Sequence, residues 1–134
     1  MIARLMSPIN LNFLSRILIV DNDAVSRATV SLMLSGEGYH VSQAANSEQA
    51  IAQFRQRPFD LVITELNLDG KDGIQIIKEL RQEQPHTNFI VMVQGGCMPS
   101  DFCQQMAEHF GVRSVFTKPF PPEQILPAVR ASLG

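Results

Sequence analysis

Short apolar runs separated by helix-like stretches give the chain its organisation. Ile17, Leu18, Ile19 and Val20 form a run that stops at Asp21, the pattern of a strand buried on both faces. Val25, Ala28 and Leu32 follow at helical spacing, and Gly36 and Gly38 lie where a positive φ would close that helix. Tyr39 to Gln43 alternates weakly. Asn46, with Gln49 three positions on, predicts a capping box for a helix carrying Ala50, Ile51 and Phe54 and closed by Pro58. Asp60 to Thr64 holds the buried run Leu61, Val62 and Ile63, which leads into the loop from Glu65 to Lys71. Asp72 and Gln75 repeat the capping pattern ahead of the stripe Ile74, Ile77 and Leu80, which Pro85 ends. Phe89 to Val93 is another apolar run, followed by Gln94, Gly95 and Gly96 and by a helix with Phe102, Met106 and Phe110 up to Gly111. Val112 to Thr117 reads as the last strand. Ile125, Leu126, Val129 and Leu133 outline the last helix, with Pro127 weakening it.

Five strands alternating with five helices predict an α/β domain, a single doubly wound parallel sheet covered on both faces by right-handed crossovers. The expected domain runs over 16–134. Residues 1–15 form a leader in which Pro8, Asn10 and Asn12 interrupt any continuous apolar stretch, so a signal peptide is disfavoured. Composition narrows the class. The chain has 134 residues, 45% hydrophobic and 18% charged, which is enough to bury a core without disulfides or metals. A net charge of −2 and the lack of a Lys/Arg run leave no footprint for a nucleic-acid backbone. No stretch approaches the roughly 18 apolar residues that span a bilayer. Cys97 and Cys103 fit no zinc spacing, and the expectation is a pair of reduced thiols in a cytoplasmic protein.

In open parallel sheets, ligands gather outside the carboxyl ends of the strands. Those positions carry Asp21, Asn22 and Asp23 after the first strand, Glu65 after the third, Gln94 after the fourth, and Lys118 with Pro119 after the fifth. Carboxyl and amide oxygens beside one lysine suit a hard cation and a phosphoryl group, with the ammonium neutralising phosphoryl oxygens. His40, His86 and His109 are scattered and read as surface residues.

The run from Ile17 to Asp23, the segment Leu61 to Glu65, the pair Asp72–Gly73 and the triplet Lys118–Pro119–Phe120 together resemble a response-regulator receiver domain. The resemblance covers the chain from Arg16 onward and implies a flavodoxin-like (βα)5 fold with strand order 2-1-3-4-5. It further implies an aspartate after the third strand that takes phosphate from a histidine kinase, two acidic residues after the first strand that help hold magnesium, and a lysine that contacts the phosphoryl group. This chain departs from that pattern. Asp21 matches the first acidic position, but Asn22 stands where a second carboxylate is expected, with Asp23 beside it. Glu65 stands at the acceptor position, and its extra methylene displaces the carboxylate by about 1.5 Å. A misplacement of about 1 Å can cost roughly a hundredfold in rate. Gln94 takes the place of a small switch hydroxyl, Val115 that of a rotating aromatic, and Asp69 that of a loop proline.

The expectation is therefore a pseudo-receiver of a two-component or phosphorelay system, a non-enzymatic interaction module that requires no cofactor. A weak magnesium site would draw on Asp21, Glu65 and the backbone carbonyl of Asn67. The partners implied are a histidine kinase, a phosphotransfer protein or an effector, or a second copy of the chain. They would meet the last strand, the last helix and the helix from Ser100 to Phe110; nucleic acid and membrane are not expected partners. Two alternatives stay open: a working receiver with unusual phosphoryl and magnesium chemistry, and a haloacid-dehalogenase-like phosphatase with Asp21 as nucleophile and Asp23 as acid or base. A flavin role lacks a Gly/Ser/Thr-rich phosphate cradle after the first strand.

Overall fold

Successive side chains of a strand point to opposite faces of the sheet, and the runs Ile17–Val20, Leu61–Ile63 and Phe89–Val93 of the central strands are apolar throughout and buried because both faces are covered. In the computed structural model, which describes residues 14–68, 72–94 and 109–133, β1 (Arg16–Val20) sends Leu18 and Val20 into one apolar cluster and Ile17 and Ile19 into the other. β3 (Leu61–Glu65) and β4 (Asn88–Gln94) divide their side chains in the same way. β2 (His40–Ala44) and β5 (Ser114–Lys118) are the edge strands and are only partly buried. That edge position accounts for the weak alternation of the β2 sequence. The five strands are parallel in the order β2-β1-β3-β4-β5, as the resemblance implies.

Four helices are described: α1 (Ala24–Gly36), α2 (Ser47–Gln56), α3 (Gly73–Glu83) and α4 (Ile125–Leu133). Val30 and Leu34 of α1 share a cluster with Ile125 and Val129 of α4, while Ala50, Phe54, Ile76 and Leu80 of α2 and α3 fill the cluster on the other face. The helix from Ser100 to Phe110 lies outside the described residues apart from its end, as do Asp69, Cys97, Cys103 and the leader up to residue 13.

Three local expectations are corrected. α1 buries Val30, Ser31 and Leu34, whereas Val25 and Leu32 are 75% and 74% exposed. Two stripes on one helix have the same spacing, and only the approach of the sheet selects between them. At α2 the Asn46 side chain accepts from Gln49 N at 2.8 Å, but the Gln49 side chain accepts from Ala45 N at 2.9 Å, so the reciprocal bond lands one residue early. Pro127 is accommodated because it lies in the first turn of α4, where a backbone N–H has no intrahelical acceptor to lose. The capping box at α3 forms in full, with Asp72 N donating to Gln75 Oε1 at 3.2 Å and Gln75 N donating to Asp72 Oδ1 at 2.9 Å.

Candidate functional site

Strand register builds the site. Val20 pairs with Thr64, Glu65 with Met92 and Gln94 with Lys118, so the residues ending β1, β3, β4 and β5 meet at one end of the sheet. Asp21 N continues the ladder by donating to Ala44 O at 3.1 Å, which fixes the first residue beyond β1. Asp21 is fully buried and Glu65 is 2% exposed, an expensive placement for two carboxyl groups unless a cation is shared. Lys118 supplies it. Its Nζ lies 2.7 Å from Asp21 Oδ2 and 3.6 Å from Glu65 Oε1, with only 11% of the lysine side chain exposed.

The two acids divide one ammonium unequally. Burial pushes the Asp21 pKa up, but hydrogen bonds from Lys118 and Asp23 N, with contributions from Glu65 and Ser26, carry it below the usual aspartate value. Glu65 moves the other way. Its burial, then its hydrogen bond and charge repulsion with Asp21, raise its pKa, and Lys118 and the Asn22 backbone offset this only in part. Glu65 Oε2 is buried without a hydrogen-bond donor reaching it. With both acids ionised the two carboxylates repel; a proton on Glu65 turns that repulsion into a hydrogen bond to Asp21.

The remaining residues fall into distinct places. Asn22 and Asp23 are exposed. Asp23 N donates to Asp21 Oδ1 at 2.9 Å, and the Asp23 carboxylate accepts from Val25 N at 3.1 Å as the cap of α1. Asn67 is exposed in the loop after β3. Gln94, also exposed, helps line a cleft of about 340 Å³ together with Asp23, Ser26, Lys118 and Phe120. Val115 is half-buried against the cluster under α2 and α3. The neighbouring Phe116 points to the other face, with its ring 5.3 Å from that of Phe120.

Two residues support the site in roles the sequence did not reveal. Arg27 Nη1 donates to Asp21 O at 2.7 Å, and its Nε donates to Gln43 Oε1 at 3.3 Å, which ties the loop after β1 to the edge strand. Gly73, quoted above only as half of a motif, opens α3 so close to β3 that a Cβ there would lie 2.7 Å from the Glu65 carbonyl oxygen.

The donor set fits a divalent cation poorly. Both Asp21 oxygens already accept hydrogen bonds, Asn22 brings no charge, and Asp23 is turned to its helix cap. Among the described residues no three His, Cys, Asp or Glu side chains are grouped to hold a metal ion. Hard cations are bound by several oxygens whose charge is free to face the ion; here an ammonium is their partner.

A doubly wound parallel sheet with two buried acids and a lysine at its carboxyl end defines an α/β domain whose site lies at the strand ends. The family model described as response regulator receiver domain matches residues 17–130, and the chain belongs to that family. It is 33% identical over 118 residues to sporulation initiation phosphotransferase F of Bacillus subtilis (strain 168), covering 88% of this chain and 93% of that protein. It is 28% identical over 119 residues to the transcriptional regulatory protein ResD of the same organism, covering 89% of this chain and 48% of that protein. The chain thus spans about half of ResD, and 26% of the transcriptional regulatory protein GlrR of Escherichia coli (strain K12). Among solved structures, it resembles the chemotaxis response regulator CheY4 of Vibrio cholerae with a TM-score of 0.77 and 26% identity, over 89% of this chain and 98% of that one. Among the described residues no helix is long and apolar enough to cross a membrane.

Proposed function

We propose that this chain is a phosphorylation-independent receiver, a cytoplasmic module of a two-component or phosphorelay system that works by docking partners, with Glu65 at the phosphoacceptor position. One observation carries the reading: the Lys118 ammonium lies between the buried carboxyl groups of Asp21 and Glu65. The positive charge that would meet an incoming phosphoryl group is engaged by the protein's own acids. Glu65 Oε2 is also enclosed, so in-line attack on a phosphodonor requires the side chain to leave its seat, and phosphoryl transfer depends on such alignment. The same enclosure weighs against Asp21 as a phosphatase nucleophile, because neither of its oxygens is free. The partners are a histidine kinase, a phosphotransfer protein or an effector, recognised through the surface rather than through a transferred group.

Treatment with acetyl phosphate and magnesium tests this, read by intact mass. The wild type is expected to stay unmodified, while Glu65→Asp, or Glu65→Asp together with Asn22→Asp, gains a phosphoryl group. A phosphoryl adduct mapped to Glu65 in the wild type would overturn the proposal and favour an atypical working receiver.

A further inference from the structure

We propose that the cleft between α3 and the turn at Phe110 and Gly111 is a docking site for an acidic peptide segment of a partner protein, one that carries a large apolar side chain among its carboxylates. This goes beyond the reading of Glu65 and does not depend on it. The cleft has a volume of about 590 Å³, within the roughly 300–1,000 Å³ of ligand clefts. Lys78, Arg81, His109 and Phe110 line it, and among the described residues no acid does. α3 sorts its charges between two sides. Glu79 and Glu83 turn to Arg55 of α2, each at 3.0 Å, whereas Lys78 and Arg81 turn to the cleft.

Both cations are positioned without an acid. The exposed Lys78 ammonium lies 5.1 Å from the centre of the Phe110 ring, an attraction that holds it on the cleft wall. Arg81 donates from Nη1 to Phe110 O and from Nη2 to Gly111 O, the latter at 3.1 Å, and its guanidinium lies 5.0 Å from the centre of the Phe89 ring. Gly111, at φ +64°, permits that approach, since a Cβ there would lie 3.0 Å from Arg81 Nη1. Burial lowers the Arg81 pKa, and among the described residues neither Lys78 nor Arg81 has an ion-pair partner. A part-buried guanidinium that no carboxylate opposes gains from an anion brought to it. Charge complementarity therefore selects carboxylates. The half-buried Phe110 ring and the aliphatic stems of the two cations favour a large apolar side chain beside those carboxylates, which a small free anion lacks. The chain as a whole carries −2, so the attraction is local and acts at contact range.

Titration of the isotope-labelled full chain, followed by amide shifts, tests this with a blocked pentapeptide that holds a phenylalanine between two pairs of aspartates. The shifts should centre on Ile77 to Gln82 and His109 to Gly111 and saturate with a Kd of about 1 mM. Lys78→Glu, at an exposed position, should weaken binding at least about tenfold, with circular dichroism verifying that the variant is folded. Raising sodium chloride from about 20 mM to about 300 mM should weaken binding of the wild type as well, a measurement that needs no variant. The same peptide with glycine in place of phenylalanine, and inorganic sulfate, should each bind several-fold more weakly. No shifts up to about 10 mM peptide, or shifts centred on another face, overturn the proposal. So does undiminished binding by folded Lys78→Glu or in high salt, which would mean that the cations take no part. Equal binding of the glycine peptide or of sulfate also overturns it, leaving attraction to any small anion.

Discussion

At the scale of single residues, the chemistry rests on how two buried acids share one lysine. The Asp21 pKa is lowered and the Glu65 pKa raised, so the two have opposite effects on stability as pH changes. Asp21 adds stability above its unfolded pKa and loses it as pH falls through its folded value. Glu65, whose folded form holds its proton more tightly, adds stability at low pH. That contribution drains as pH rises from the ordinary 4.5 through the raised folded value. Glu65→Gln keeps the shape and supplies an amide N–H in place of the shared proton between Glu65 and Asp21. The variant should be more stable than the wild type, with an advantage that grows as pH rises from the ordinary 4.5 through the raised folded value. Urea denaturation of both proteins across that range measures it, and a constant difference would mean that Glu65 is ionised throughout.

At the scale of elements, the junction of β3 and α3 positions Glu65. Gly73 N donates to Leu66 O at 2.8 Å, and the first turn of α3 lies almost on the Glu65 carbonyl. Gly73→Ala would drive a methyl into backbone atoms rather than into a side chain that can swing away. The expected cost is roughly 1–3 kcal/mol, with amide shifts concentrated at Glu65 and Leu66. A silent spectrum around β3 would show that α3 moves as a body instead. The Asp72–Gln75 capping box just ahead of this contact sets where the helix begins, and so how near its first turn comes to the site.

At the scale of the molecule, anything that binds the folded state selectively raises its melting temperature by mass action. Magnesium is expected to leave the wild-type Tm unchanged at roughly millimolar concentration, because Lys118 already neutralises the pocket. Glu65→Asp with Asn22→Asp, which restores a carboxylate at position 22 and draws the one at 65 back from the lysine, should gain a magnesium-dependent rise in Tm. Differential scanning calorimetry of the two proteins with and without the metal makes the comparison. A shift in the wild type would mean that the ion displaces the lysine from Asp21 and Glu65.

The apolar runs of β1, β3 and β4, alternating with helical stretches, determined by themselves a parallel sheet covered on both faces. The residues that follow those strands fixed which side chains could meet, because one end of a parallel sheet collects every carboxyl end. Glu65 and Lys118 were legible for that reason. The protonation preference of Glu65 was not, because it comes from burial and from the approach of Asp21 and Lys118, groups far from it in sequence. The roles of Arg27 and Gly73 were equally hidden, since each acts through a backbone oxygen that carries no mark in the sequence. The face of α1 shows the same limit: Val25 and Leu32 have the same periodicity as buried residues, and it was the packing of Val30 and Leu34 against the sheet that left them in solvent. Periodicity determines that a helix has an apolar stripe, and tertiary contact decides which stripe is buried.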